Sequence, residues 1–91
     1  MNDEIVTLIC EIDAETEERQ EVFAKAESIG QKEFFAAAQT GFKAEFKMTV
    51  WQSDYEGQNI VELNNQRYSV YRTYLRSDEH IELYLTSKVG V

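Results

Sequence analysis

The chain has 91 residues and a formal net charge of −8, with 17 acidic residues against 9 basic ones. Because this length is below that of an average domain, a second hydrophobic core is not expected, and residues 1–91 are predicted to form one domain. The hydrophobic share of 43% is too high for a disordered chain. The negative charge argues against binding to a phosphate backbone or to an anionic membrane.

The sequence constrains the cellular compartment only loosely. Cys10 is the only cysteine, so no internal disulfide can form, which fits a reducing cytosol. Residues 1–4 carry negative charge where a secretory signal needs positive charge, and no apolar run approaches the ~20 residues that span a bilayer. We therefore expect neither secretion by the usual route nor insertion into a membrane.

Two strands and an acidic connection are predicted in the first third of the chain. Residues 5–12 alternate with a period of two, and residues 22–29 place Val22 and Ala24 on one face, so both segments predict strands. Between them, residues 13–21 carry six charged side chains in nine, five of them acidic, and no apolar stripe. This segment is predicted to be an exposed loop with at most a frayed helical turn.

A short helix is predicted over Gln31–Gln39. Its three consecutive alanines favour helix, and Gly41 can adopt the left-handed conformation that ends one. Phe34 and Phe35 cluster on this helix at helical spacing. One of them is expected to pack over the sheet.

The second half of the chain reads as four further strands. Residues 44–51 alternate most clearly, residues 60–63 and 67–74 flank the turn at Asn64 and Asn65, and residues 81–86 follow a turn at 77–79, leaving 87–91 as a tail. About six sequence-adjacent strands with one short helix predict a mainly β fold, a small antiparallel barrel or open sandwich, with the helix plugging one end or covering one face. Its expected core residues are Phe46, Met48, Val50, Val70, Leu83 and Leu85.

Residues able to support catalysis or metal binding are scarce. One histidine and one cysteine cannot supply the four ligands of a zinc site. Cys10 with His80 would be the only nucleophile and base pair, but Cys10 is expected to be a buried structural thiol. His80 reads as a solvated turn residue, with a pH-sensitive contact as the alternative. Residues 54–57 resemble only part of a calcium loop. We therefore expect no enzyme, no metal and no cofactor.

Tyrosines and arginines accumulate near the end of the chain, which is unusual against the acidic background. Good strand formers packed in a sheet, a protein interface and a surface for single-stranded nucleic acid would all explain them, and the charge favours the first two. The residues concerned are Arg67, Tyr68, Tyr71, Arg72, Tyr74, Arg76 and Tyr84.

Six ordered segments together resemble the family of phage head-tail joining proteins, also called head-tail adaptors or head-closure proteins. They are residues 22–29, 33–37, 46–50, 54–57, 68–74 and 81–84. The N-terminal third departs from the family pattern, because its opening is acidic and its turn runs from Ala14 to Arg19.

The resemblance implies a small barrel without catalytic residues or cofactor. Such a subunit would bind below the portal ring of a filled capsid, help to retain the DNA and offer a docking surface to the tail. Its partners would be the portal protein, tail-side joining proteins and copies of itself in a ring, with no sequence-specific nucleic acid and no membrane. It would occupy the head-tail interface of the virion, and the host cytoplasm before assembly.

In such a ring two different patches of one subunit meet its neighbours, and the candidate patches are the helix Gln31–Gln39 and the cluster of tyrosines and arginines. The candidate protein interface comprises Phe34, Phe35, Arg67, Tyr71, Arg72 and Tyr74. A candidate channel-facing loop, whose charge would repel DNA phosphates, comprises Asp13, Glu15, Glu17, Glu18 and Glu21. The alternative function is an acidic protein-binding module, such as an inhibitor that mimics DNA; a small hydrolase is disfavoured for want of a nucleophile and base.

Overall fold

A computed structural model describes residues 3–41 and 43–87, and within these ranges six antiparallel strands close into a barrel beside one helix. The mainly β architecture predicted from the sequence is therefore confirmed, and the barrel is favoured over the open sandwich. Around the barrel the strands follow the order β1, β2, β3, β6, β5, β4. The elements are β1 (Asp3–Glu11), β2 (Glu17–Glu27), α1 (Gln31–Gln39), β3 (Ala44–Trp51), β4 (Ile60–Leu63), β5 (Gln66–Leu75) and β6 (His80–Thr86).

The hydrophobic core fills the barrel with inward-facing side chains from alternate strand positions. Met48, Val50, Leu83 and Leu85 were predicted to be buried and are, whereas Phe46 and Val70 are only partly buried and pack against the core. The remaining core residues come mainly from the first half of the chain: Val6, Leu8, Val22, Ala24, Val61 and Ile81.

The helix does not pack as expected. Either Phe34 or Phe35 was predicted to pack over the sheet, but these residues are 42% and 61% exposed. Ala37, four residues after Glu33, is instead the buried residue of α1. The expectation was wrong because the face bearing Glu33 and Ala37 meets the barrel, and residues one position along a helix point about 100° away from it. The helix ends as predicted, with Gly41 at a φ of 88°.

The acidic segment is also shorter as a loop than expected. β1 and β2 stay in register up to the pair Glu11 and Glu17, so the connection spans only residues 12–16, and Glu17, Glu18 and Glu21 belong to a strand. The prediction of an acidic loop over 13–21 was therefore wrong in extent. The start of β2 lacks the alternating apolar residues that predict a strand, because one face of it makes ion pairs rather than apolar contacts.

The barrel wall is uneven in its backbone pairing. β1 and β2 share nine paired positions, but β2 and β3 share three, from Lys25 opposite Thr49 to Glu27 opposite Lys47. On the N-terminal side of Lys25 in β2, and on the C-terminal side of Thr49 in β3, the two strands are no longer paired. The wall therefore opens into a cleft between the side chains of β2 and the end of β3.

The remaining sequence expectations concern turns and the termini. Asn64 and Asn65 adopt positive φ values of 52° and 65° between β4 and β5, as predicted. Of the predicted tail, residues 88–91 lie outside the described residues, as do residues 1 and 2 of the acidic opening. In the described part of the chain, no helix is long and apolar enough to cross a bilayer.

Candidate functional site

The tyrosines and arginines predicted as one cluster are divided by the barrel into separate groups. Tyr68 points inward and packs edge-on against Phe46, with ring centroids 4.9 Å apart. Tyr74 is exposed on β5. Arg76 pairs with Asp78 at 2.7 Å, in the turn before β6. The predicted cluster of tyrosines and arginines is therefore not one continuous surface.

Arg67 belongs to an ion network that crosses the outside of the barrel. Its guanidinium donates from Nη1 and Nη2 to the two carboxylate oxygens of Glu17, at 2.7 and 3.2 Å. Arg19 donates to Glu62 at 2.7 Å, and each arginine also approaches the other's carboxylate. Hydrogen bonding from Arg67 lowers the pKa of Glu17. The network thus ties β2 to β4 and β5.

This ion network passes over β1, which lies between β2 and β4 in the barrel. Ile9 is directly opposite Arg19 on one side and Ile60 on the other. Both isoleucines are buried, although they face away from the main core. Arginine stems can cover apolar surface while their charged ends stay in water. Arg67 and Glu17 therefore stabilise the wall, which disfavours them as contacts for a partner or for DNA.

Tyr71 and Arg72 form the second group, and both bind Glu33 of α1. The Tyr71 hydroxyl donates to Glu33 Oε2 at 2.9 Å, and Arg72 makes an ion pair with the same carboxylate. Consecutive strand residues normally point to opposite faces. Here the register shifts between Val70 and Arg72, and a bulge of this kind re-aims side chains. It allows both neighbours to hold the helix.

The same group continues onto β6. Arg72 Cζ lies 4.1 Å from the centroid of the Tyr84 ring, and the Tyr84 hydroxyl donates to Glu82 at 2.7 Å. Burial and this hydrogen bond raise the pKa of Tyr84 to about 12. Burial also acts to raise the pKa of Glu33, but its bonds from Arg72 and Tyr71 outweigh that effect and lower it. Tyr71, Arg72 and Tyr84 thus dock the helix.

Phe34 and Phe35 remain as a candidate contact surface. Their rings meet edge to face with centroids 5.9 Å apart, on the side of α1 away from the barrel. Glu33, immediately before them, is held by β5. The helix is therefore fixed to the barrel while its two phenylalanines face outward.

An aromatic cleft opens where β2 and β3 diverge, and sequence analysis did not identify it. It has a volume of about 430 Å³. Phe23 and Trp51, which are 64% and 47% exposed, supply its apolar part. The Trp51 ring stacks on the His80 ring with centroids 4.0 Å apart. Ile5, also exposed, lies opposite Phe23 in register and extends the apolar surface.

The aromatic cleft carries basic side chains, although the chain as a whole is acidic. Lys25, Arg76 and His80 line it together with one carboxylate, Glu27, which accepts a hydrogen bond from Thr49. Arg76 is already paired with acidic residues. Lys25 makes no ion pair with any described residue. Among the cations that line the cleft, Lys25 is therefore the most available to a partner.

The connection between β1 and β2 forms an acidic tip over residues 12–16, held by hydrogen bonds within the turn. Asp13 Oδ1 accepts hydrogen bonds from the backbone N–H groups of Glu15 and Thr16, both at 2.9 Å. These bonds, led by that from Glu15, lower the pKa of Asp13. Ile12 is 55% exposed and Glu15 is exposed beside it. We call residues 12–16 the hairpin tip.

The candidates for catalysis and metal binding are not brought together. Cys10 is exposed, so the expectation of a buried thiol was wrong; it borders a hollow with Gln20 and Gln58, whereas His80 lines the aromatic cleft. His80 is half-buried rather than solvated, with Nδ1 3.4 Å from Asp78. Tyr55 and Glu56, in the calcium-like segment, bond to Gln58. Within 3–41 and 43–87, no group of three or more His, Cys, Asp or Glu residues could hold a metal ion.

Comparison with known proteins gives no relative from which a function could be transferred. No family model matches the chain, and neither the curated proteins nor the solved structures include a significant match.

Proposed function

We propose that this chain is a structural head-tail joining subunit of a tailed phage or prophage, which connects the portal vertex to the tail and helps to retain the DNA. The single observation that carries the proposal is the distribution of exposed apolar side chains over separate faces of one small acidic barrel. Phe34 and Phe35 occupy the helix, Phe23 and Trp51 the cleft, and Ile12 the hairpin tip. A ring subunit that also contacts a portal and a tail needs several such surfaces.

The sequence resemblance supports the same function. Its six segments fall on β2, α1, β3, the connection after β3, β5 and β6. The resembling segments therefore include the helix and most of the barrel wall. In this proposal the protein works at the head-tail interface of the virion and is held in the host cytoplasm before assembly. Its partners are the portal protein, the tail-side joining proteins and copies of itself.

The acidic-inhibitor alternative has less support from the geometry. A DNA mimic presents carboxylates to its target, because they stand in for phosphates. Here carboxylates of β2, α1, β4 and β6 are paired with basic side chains of the same chain: Glu17, Glu33, Glu62 and Glu82. Lack of inhibition of DNA-binding enzymes by the purified chain is the expected result.

The test of the proposed function is binding to portal assemblies of the phage or prophage that encodes the chain. Electron microscopy of portal assemblies mixed with purified protein should reveal an added ring of density on the tail side. Phe35→Gln alters an exposed helix residue and should weaken that density. Ser53→Gln, at an exposed position outside the candidate surfaces, should not. Unchanged portal density with the wild-type chain at saturating concentration would refute the proposal.

A further inference from the structure

We propose that the hairpin tip of one copy of this chain docks into the aromatic cleft of a second copy. The inference rests on the ring-forming role proposed above and names the contact that would join neighbouring subunits. The occupant is another copy of the chain rather than an unrelated ligand, because the chain carries both halves of the contact.

Charge complementarity is the first argument. The cleft displays Lys25 without an ion pair among the described residues, beside Arg76, which pairs with Asp78 and Glu82, and Glu27, which accepts a hydrogen bond from Thr49. The hairpin tip displays Glu15, with Glu11 and Glu18 at its base, and none of these three has an ion-pair partner among the described residues. A tip with unpaired carboxylates and a cleft with an unpaired lysine attract each other, and this attraction also fixes their orientation.

Apolar complementarity is the second argument. Ile12 stands exposed on the hairpin tip, and Phe23 and Trp51 stand exposed in the cleft. The tip is already held in shape, because Asp13 binds the backbone of Glu15 and Thr16 and the Ile12 N–H donates to the Thr16 carbonyl at 2.9 Å. A preformed element loses little conformational entropy on docking.

The third argument is position. Phe23 and Glu17 lie six residues apart on β2, which separates the cleft from the base of the tip by about 20 Å along the strand. A subunit cannot fill its own cleft with its own tip. The contact therefore joins two different patches of two copies, and repeating such a head-to-tail contact generates a ring when the rotation closes.

The helix surface fits the cleft less well than the hairpin tip does. Phe34 and Phe35 are equally apolar, but exposed Lys32 accompanies them. Placing Lys32 near Lys25 and Arg76 would bring like charges together, which disfavours a wrong partner. The helix is thus left for the portal or tail. In this arrangement Glu15 contacts a neighbouring subunit and does not face the DNA channel.

The exposed Cys10, paired with Glu18 at the base of the tip, provides the probe. Two samples of the full-length chain are mixed. One carries a nitroxide on Cys10 and no isotope label, and the other is enriched in ¹⁵N and carries no nitroxide. Only contacts between copies can then broaden the observed signals. The expected result is selective broadening at the Trp51 indole N–H and at the amides of Phe23 and Lys25, with the amide of Phe35 unaffected.

Charge variants then identify the groups involved. Lys25→Glu should weaken association at least about tenfold, since it places like charges together, while Lys32→Glu makes the same charge change outside the cleft and should not. Glu15→Lys should weaken it as well, and Glu45→Lys, at an acidic position at the start of β3 that lies outside both the tip and the cleft, should not. The double variant Lys25→Glu/Glu15→Lys should restore association, which a misfolded chain could not do.

Three results would overturn the proposed contact: no broadening at high protein concentration, broadening centred on helix α1, or equal loss of association with Lys25→Glu and Lys32→Glu. These measurements need no portal. Portal binding without contact between tip and cleft would reject this inference and leave the proposed function standing. Contact between tip and cleft without portal binding would support this inference and reject the proposed function.

Discussion

Tyr71 donates its hydroxyl hydrogen to Glu33 at 2.9 Å, and this bond joins β5 to α1 across 38 residues of sequence. The bulge beside Tyr71 turns two neighbouring side chains toward one carboxylate. A helix of nine residues is too short to be stable by itself in water. Its position, and hence the outward direction of Phe34 and Phe35, depends on Glu33.

Replacing Glu33 by Gln should loosen helix α1 while the barrel stays folded. The neutral amide cannot attract the Arg72 guanidinium as a carboxylate does. Hydrogen exchange should quicken at the amides of α1 and stay unchanged in β3 and β6. Glu56→Gln, an exposed acidic position without an ion pair in the described chain, is the control and should alter neither. Faster exchange throughout the barrel would contradict a local role.

Acid should release the same helix. The pKa of Glu33 in the folded chain lies below its ordinary value of 4.5, because hydrogen bonds from Arg72 and Tyr71 outweigh the effect of burial. A lowered pKa contributes stability that is complete above the unfolded value and is lost as the pH falls through the folded value. NMR shifts of the α1 amides should therefore change below about pH 4.5. The Glu33→Gln chain should lack this transition.

At high pH, ionisation of Tyr84 should destabilise the folded chain. Its pKa is raised from 10.0 to about 12, chiefly by burial, so its contribution to stability is complete below pH 10 and is lost as the pH rises through the folded value. An ultraviolet titration should therefore show tyrosine ionisation that continues well above pH 10. Tyr84→Phe should remove part of that late signal. An unchanged titration curve above pH 10 for Tyr84→Phe would contradict the burial of Tyr84.

Local patterns predicted the strands whose faces differ in polarity. β3 and β6 alternate apolar and polar residues, so their positions could be predicted from this two-residue period. The hairpin between β4 and β5 could be predicted from Asn64 and Asn65, which are typical turn residues. The start of β2 could not be read in this way. Glu17 is stabilised by Arg67, 50 residues later, and a local window of sequence does not contain that partner.

The aromatic cleft and the helix orientation were missed for a related reason. Phe23 and Trp51 look like ordinary strand residues, and they face one opening only because β2 and β3 separate after three paired positions. The bulge at Tyr71 has no glycine or proline to indicate it. One of Phe34 and Phe35 was expected to pack over the core, although the carboxylate of Glu33 beside them decides which side of α1 meets the barrel.

The buried and exposed apolar residues should differ sharply in their effect on stability. Leu83→Ala removes a fully buried core side chain and should cost about 2 to 5 kcal/mol in the free energy of unfolding. Phe35→Ala removes an exposed ring and should stay within about 0.5 kcal/mol. Urea unfolding followed by circular dichroism measures both. Similar losses for the two variants would mean that the helix packs with its phenylalanines inward.

The free protein is expected to be a monomer or a weakly associating oligomer. Each candidate surface is small: the hairpin tip offers Ile12 and a few carboxylates, and the cleft offers two aromatic rings with Lys25. Specific and stable interfaces bury roughly 1,200 to 2,000 Å², more than a five-residue tip can provide.

The proposed role requires the same weakness, because subunits that closed into a lasting ring in solution would assemble before the capsid was filled. On the portal, neighbours are held side by side, so weak contacts act at a high effective concentration and become sufficient. Sedimentation velocity at micromolar concentration should therefore give a monomer, with larger species that grow as concentration rises and shrink as salt screens the tip and cleft charges. A closed ring that persists on dilution without portal would contradict this prediction.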